Sequence, residues 1–392
     1  MRILFLSPRQ CWPALSGAKL REYHLARALS RWAELTYVYF AGAGDPPLTA
    51  ADLPFASHIV SVPKPHVYGP WKLLQGIAGR WPLPILNYTS PQMTAALSQL
   101  DAHYDLVHLD SIHMVRYAET LKTPRVVYDW HNIESEAMRR YAASTYSRTR
   151  RLYANLTASK LEAVEREILT NASGHIVCSA RELQQLQAIA PSARVRVIEN
   201  GVDCAHFAGL NSGPVHNRIV FVGKMDYYPN IEAIVGFAHT TWAVLRDQMK
   251  DLTLTIVGAN PTSEVESLAG LPGIEVTGTV PDVRPYYRHA LAAVVPLRTG
   301  GGTRLKILEA MAAGVPVVSS PLGAEGLAVT ADRDILISDP DDHQRWLHNL
   351  IELQSETRRT ELTTQALHLV ETRYDWNILG QKLIDTYAGW LR

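Results

Sequence analysis

Short apolar, β-rich runs alternate along the whole chain with longer stretches of helical periodicity. A first series covers 3–7, 35–40, 58–62, 105–109, 126–130, 175–179 and 195–198. A second covers 219–222, 252–257, 274–280, 292–297, 315–319 and 335–338. Most of these runs are near-continuous in apolar residues instead of alternating with polar ones. That is the pattern of strands buried on both faces of a parallel sheet, with the helical stretches as crossovers. Two such series predict two doubly wound α/β domains. The break is expected within 199–217, where Asn200-Gly201 and Ser212-Gly213-Pro214 supply turn and linker chemistry. The expected bounds are 1–200 and 201–373. Beyond them, Trp376, Leu379, Leu383, Ile384, Tyr387 and Leu391 recur at helical spacing, one apolar stripe on a terminal helix that must dock.

Composition narrows the function. With 392 residues and 47% apolar side chains, the chain can bury ordinary cores. Its 38 Lys and Arg balance its 38 Asp and Glu, which argues against a dedicated nucleic-acid binder. Cys11, Cys178 and Cys204 follow no disulfide or zinc spacing, so no metal site is expected and the thiols read as idle groups in a reducing compartment. The opening apolar run reads as a first strand, and no apolar stretch reaches the ~18 residues of a membrane span. A cytoplasmic protein is expected, with a peripheral position at the inner face of the membrane as an extension of that reading.

In doubly wound sheets ligands bind beyond the carboxyl ends of the strands. Four loops there carry candidate chemistry. Ser16-Gly17-Ala18-Lys19 opens a helix, and Gly17 lets backbone approach a ligand; a plain turn reads equally well. His131, at the end of Tyr128-Asp129-Trp130, offers a hydrogen bond to a hydroxyl or phosphate, or is a satisfied structural histidine. Lys224, in Gly223-Lys224-Met225-Asp226, offers a charge to a phosphate, or is an ordinary solvated lysine. The fourth loop says most. Gly300-Gly301-Gly302-Thr303 leads into a helix closed by Gly314, and its N–H groups would cradle an anion. Arg304 and Lys306 stand in the first turn, where the helix dipole disfavours cations unless an anion sits there. Glu309 follows on the same short helix.

The segment 300–314, followed by Val315-Pro316-Val317-Val318, resembles the donor motif of glycosyltransferase family 4, and the wider loop resembles a subset with a GGGTRLK sequence. The likeness extends through residues 3–27, Val197-Ile198-Glu199-Asn200-Gly201-Val202-Asp203, residues 221–230, Thr255–Gly258, residues 278–282, and the closing Tyr374-Asp375-Trp376 helix. The resemblance implies a GT-B fold: two Rossmann-like domains facing a cleft, with the C-terminal helix (374–392) crossing back to the first. It also implies sugar transfer from a nucleotide diphosphate sugar, retaining and without a bound metal or other cofactor. By position, Gly17 would approach the ligands and His131 the transferred sugar. Lys224 would stand for a pyrophosphate-binding Arg, Glu309 would bind the ribose, and Gly223 and Gly258 would belong to the donor loops. Two positions depart from the pattern. Gly301 stands where the family has a second Glu, and Asn230 where it has a second pyrophosphate cation. The expectation is that Arg304 and Lys306 restore the charge, with Gly300, Gly301, Gly302 and Thr303 receiving donor oxygens.

The first domain is expected to take the acceptor, a glycan or lipid-linked molecule, in bacterial polysaccharide or glycoconjugate synthesis. Lys64, His66, Tyr68, Trp71, Lys72, Arg80, Trp81 and Tyr88, with Arg139, Arg140, Arg148, Arg150 and Arg151, form basic and aromatic stretches that suit an anionic membrane surface as well as they suit solvated helix faces. A nucleotide-sugar epimerase of the same fold and a non-catalytic nucleotide-sugar-binding subunit are the alternatives.

Overall fold

The computed structural model describes residues 1–65, 69–100, 103–121, 123, 125–210, 215–300 and 302–391. The chain forms two compact units. One is Met1–Glu199 with Leu379–Arg392; the other is Asn200–Ile378. His66, Tyr68, Gly301 and Ser212-Gly213-Pro214 lie outside the described residues.

The first unit holds a parallel seven-stranded sheet: β1 (Arg2–Ser7), β2 (Glu34–Ala41), β3 (His58–Pro63), β4 (Leu106–Asp110), β5 (Val126–Trp130), β6 (Gly174–Val177) and β7 (Val195–Val197). The strand order is β3-β2-β1-β4-β5-β6-β7. The second unit holds β8 (His216–Val222), β9 (Thr253–Val257), β10 (Ile274–Gly278), β11 (Ala290–Val295), β12 (Val317–Ser319) and β13 (Leu336–Ile337), ordered β10-β9-β8-β11-β12-β13. In each sheet the first strand pairs with the second on one side and the fourth on the other. The order therefore reverses beside β1 and beside β8, the points where this topology opens a crevice at the strands' carboxyl ends. The pattern of doubly wound α/β folding anticipated from the sequence is present in both units.

Every expected run is a strand, with shifted ends that have local causes. The run at 175–179 stops at Val177 because Ser179 caps the next helix. Its hydroxyl accepts from Glu182 N–H, and the Glu182 carboxylate accepts from Ser179 N–H at 3.0 Å. The run at 274–280 ends at Gly278, which turns at φ +70°. The last helix, Trp376–Leu391, begins after a π-helical turn ending at Tyr374.

Arg21 organises the first unit. It lies on the first helix, Gly17–Ser30, and is fully buried. Its Nε and Nη2 donate to the two oxygens of Asp129, each at 2.8 Å, and its Nη1 donates to the carbonyls of Ile198 (2.8 Å) and Glu199 (3.2 Å). A buried guanidinium is tolerable because this fork satisfies it. Asp129 is the penultimate residue of β5, so the pair ties helix, sheet and unit end together. The terminal helix adds the Tyr387 hydroxyl, 2.6 Å from His108 Nδ1, and the Trp390 ring, which occupies the space a Cβ at Gly174 would need.

Replacing Arg21 by Ala leaves the buried Asp129 carboxylate without its cation. The expected cost is about 3–5 kcal/mol of stability, read as a lower urea midpoint for the transition of the first unit. An unmoved midpoint would show that Arg21 is dispensable.

Candidate functional site in two clusters at strand ends

The second unit carries a cationic cluster where β8 and β11 end. After β8 comes Gly223, whose N–H donates to the Val257 carbonyl at 3.0 Å. A Cβ at Gly223 would sit 2.8 Å from both Asn230 Nδ2 and Lys306 Nζ, and one at Gly258 would sit 1.6 Å from the Gly223 carbonyl oxygen. These glycines are required by close approach and not by turn geometry. Asn230, on the helix Tyr228–His239, donates through Nδ2 to the Lys224 carbonyl (2.9 Å) and accepts at Oδ1 from Lys306 Nζ (2.8 Å). The Lys306 ammonium also sits over the Phe221 ring, 4.3 Å from its centroid.

Lys306 belongs to the helix Leu305–Ala312, which follows β11. A C-terminal glycine motif closes that helix: Gly314 turns at φ +69°, its N–H donates to Met311 and that of Val315 to Ala310. At the other end Gly300 (φ +108°) and Gly302 (φ +80°) adopt backbone open to glycine. Gly300 also lies against Pro229, 3.1 Å from where its Cβ would be. Thr303 Oγ1 accepts from Asn200 Nδ2 at 3.2 Å. Arg304 is buried, and its Nη1 donates to the Gly302 carbonyl.

Burial and the neighbouring Arg304 charge push the Lys306 pKa down to about 7, with Glu309 opposing. Burial pushes Glu309 up to about 7, with Lys306 opposing. Arg304 is lowered by burial. The cluster is short of negative charge, and an anion placed there would favour the Lys306 ammonium. Lys224 stands apart. Its side chain is exposed and paired with Asp226 at 3.0 Å, and Asp226 also accepts from Asn260. The structure thus gathers Gly223, Asn230, Gly258, Gly300, Gly302, Thr303, Arg304, Lys306 and Glu309 on neighbouring loops and helices of one unit, with Lys224 beside Gly223 but its ammonium turned to Asp226.

The first unit carries a second cluster, where β1, β4 and β5 end. Gly17 begins the first helix there. His131 Nε2 lies 2.9 Å from Asp110 Oδ1. Asp110 ends β4, and Glu22 comes from the first helix; both are fully buried. Glu22 accepts from Ser7 Oγ (3.1 Å) and pairs with Arg9 Nε (3.0 Å). One ligand atom each from Glu22, Asp110 and His131 lies within 4.8 Å of the others. The donor types would suit a metal, but the Arg9 guanidinium already occupies the Glu22 side and opposes a dication there. His108, Asp110 and Asp129 also cluster, with Asp129 already held by Arg21. Arg9, Glu22 and Asp110 had no signal in the sequence reading. Asp110 could have been found: it closes the buried run Leu106–Asp110, the same strand-end position that singled out His131.

Comparison with known proteins agrees with the two-unit construction. Residues 16–206 match a model described as Glycosyltransferase Family 4, and residues 216–356 match one described as Glycosyl transferases group 1. A phosphatidyl-myo-inositol mannosyltransferase of Mycolicibacterium smegmatis is 30% identical over 247 residues, 59% of this chain and 61% of that protein. A D-inositol 3-phosphate glycosyltransferase of Salinispora tropica is 24% identical over 231 residues, 51% of this chain and 47% of that protein. The chain thus spans about half to three-fifths of the curated relatives it matches. Among solved structures, sucrose-phosphate synthase from Thermosynechococcus elongatus superposes with a TM-score of 0.71 at 18% identity, covering 99% of both chains. Anabaena HepE in complex with UDP and glucose gives 0.66 at 16% identity, covering 99% of this chain and 100% of that one. At such identities the likeness is one of fold.

Gly258→Ala would force a methyl group into the Gly223 carbonyl. The second unit should lose about 1–3 kcal/mol or more, as overpacked sites do, seen as a lower thermal midpoint. Wild-type stability would refute the close approach.

Proposed function

We propose that this chain, whose residues 16–206 and 216–356 match the family 4 and group 1 glycosyltransferase models, moves a sugar from a nucleotide diphosphate sugar to a glycan or lipid-linked acceptor. The observation that carries the donor side is the Lys306 ammonium, held 2.8 Å from Asn230 between two glycine-lined loops at the strand-order reversal beside β8. Anions are favoured there by the ammonium, by Arg304 and by the N-terminus of the helix Leu305–Ala312. A leaving nucleoside diphosphate gathers charge on its β-phosphate, and fixed cations aimed at that oxygen lower the barrier. In this reading Lys306 and Arg304 carry the pyrophosphate and Glu309 receives ribose hydroxyls. Retention of configuration and metal independence follow the family resemblance, with these cations in the position a metal would otherwise serve.

A lipid-linked acceptor is supported by the surface of the first unit. The helix Pro70–Ala78 leaves Trp71 70% and Leu74 52% exposed, with Ile77 and, on the helix Arg148–Asn171, Leu152 and Leu156 also exposed. Lys160 Nζ donates to the carbonyls of Gly76, Ile77 and Gly79 at 2.6–2.7 Å and fixes one helix on the other. Arg80, Arg148, Arg150 and Arg151 are exposed around these residues. Apolar side chains among cations suit the interface of an anionic bilayer. No helix among the described residues is long and apolar enough to cross one.

Thermal-shift titration with UDP-, GDP- and ADP-sugars should give one clear stabilisation. The Lys306→Ala, Arg304→Ala pair should weaken donor binding at least about tenfold, the scale of one lost charge-assisted hydrogen bond. Unchanged donor binding would overturn the cradle, and binding without transfer across an acceptor panel would leave a non-catalytic binder. Flotation with anionic vesicles should carry the wild-type chain and lose Trp71→Ser, Leu74→Ser. Equal flotation of both would remove the membrane face.

A further inference from the structure

His131 keeps 15% of its side chain exposed, and its Nε2 is taken by Asp110. Only Nδ1 is left to meet a ligand. Asp110 itself is held from behind. Its Oδ2 is buried and finds no hydrogen-bond partner, and a Glu22 carboxyl oxygen lies within 4.8 Å of the Asp110 and His131 ligand atoms. Two carboxyls buried this close disfavour each other's ionisation. Burial and the Asp110 charge raise Glu22 well above the usual carboxylate range, against Arg9 and Ser7. Burial works to raise Asp110 too, but the His131 charge and its hydrogen bond outweigh it and hold Asp110 low. The two carboxyls are thus split, Glu22 pushed up and Asp110 held down.

We propose that Asp110, backed by Glu22, is a positioning residue that holds the His131 ring by Nε2 and keeps it an imidazolium, so that the N-terminal unit offers a cationic Nδ1–H donor to a substrate oxygen. The inference rests on the glycosyl-transfer reading for what His131 meets, though not for how the ring is held. The other groups around the ring agree with it. Burial lowers His131, but Asp110 and then Asp129 raise it, against Arg21, for a net rise. His108 and His113 are pushed down to about 4, first by burial, and are neutral near pH 7, so neither repels the ring. Glu134, raised to about 7 chiefly by burial, is an acid whose ionisation His131 favours. Arg9 is the remaining fixed cation, and it is engaged by Glu22.

The sign follows. A histidine whose pKa is raised in the folded chain is charged below that pKa and loses its charge as pH rises through it. An activity that needs the imidazolium therefore has an alkaline limb set by His131. In the full chain carrying labelled histidine, ring-nitrogen NMR should show His131 doubly protonated at the pH where free histidine is half-titrated. In Asp110→Asn its midpoint should move to acid by about one pH unit or more, the effect of losing an adjacent opposite charge. The alkaline limb of kcat/KM should move with it, and Asp110→Glu should restore part of the shift. A neutral His131 in the wild type at that pH overturns the proposal, as does an unmoved midpoint in Asp110→Asn. The wild-type titration alone decides if Asp110→Asn does not fold. Because the NMR readout needs no turnover, an inactive chain would count against sugar transfer while leaving the ring's charge measurable.

Discussion

A lysine ammonium held over the Phe221 ring, with the Asn230 amide oxygen as its acceptor, constrains what surrounds it in the second unit. The ammonium can reach that place only if Gly223 has no side chain, and the Gly223 backbone can sit there only if Gly258 has none. Asn230 must in turn be fixed, which it is by its bond to the Lys224 carbonyl. The arrangement carries a desolvation cost. Burial works against the charged form of Lys306 and also against that of Glu309, so both titrate near neutrality. A bound anion changes the balance: it favours the ammonium and makes the desolvated surroundings an advantage, because the same low polarity strengthens the attraction.

The two units share one strand order and use it for opposite electrostatics. In the first, three buried carboxyls, Glu22, Asp110 and Asp129, are answered by Arg9, His131 and Arg21. In the second, a buried Arg304 and a half-buried Lys306 outnumber their acidic partner Glu309. Topology places the cluster in both cases, since the strands beside β1 and β8 part at their carboxyl ends. Charge is a property of the few side chains that sit there, and so the function is carried by the sites and not by the repeated fold.

The strands were legible because β-rich apolar runs report burial on both faces, and that signal is local. The glycine loop at 300–314 was legible for the same reason: its glycines, cations and closing Gly314 are neighbours in sequence. What stayed hidden is whatever depends on approach across the fold. Lys306 and Asn230 are 76 residues apart, and nothing in either segment announces the other. Nothing along the first helix marks Glu22, and only the fold brings it beside Asp110 and His131. Lys224 shows the converse. Its loop was read correctly as a strand-end position, but a carboxylate two residues away holds its ammonium.

The exchange at Asn230 is best understood together with Lys306. The family resemblance leads one to expect a second cation at position 230, and this chain has an amide there. With the Lys306 ammonium 2.8 Å from the Asn230 oxygen, a lysine at 230 would bring two positive charges into near contact, and at an effective dielectric of 20 two charges about 4 Å apart already repel by about 4 kcal/mol. An amide avoids that repulsion, supplies an acceptor for the incoming ammonium and keeps a donor for the Lys224 carbonyl. Lys306 and Asn230 therefore act as one unit, in which the cation stands on the helix after β11 and an amide on the helix after β8 holds it.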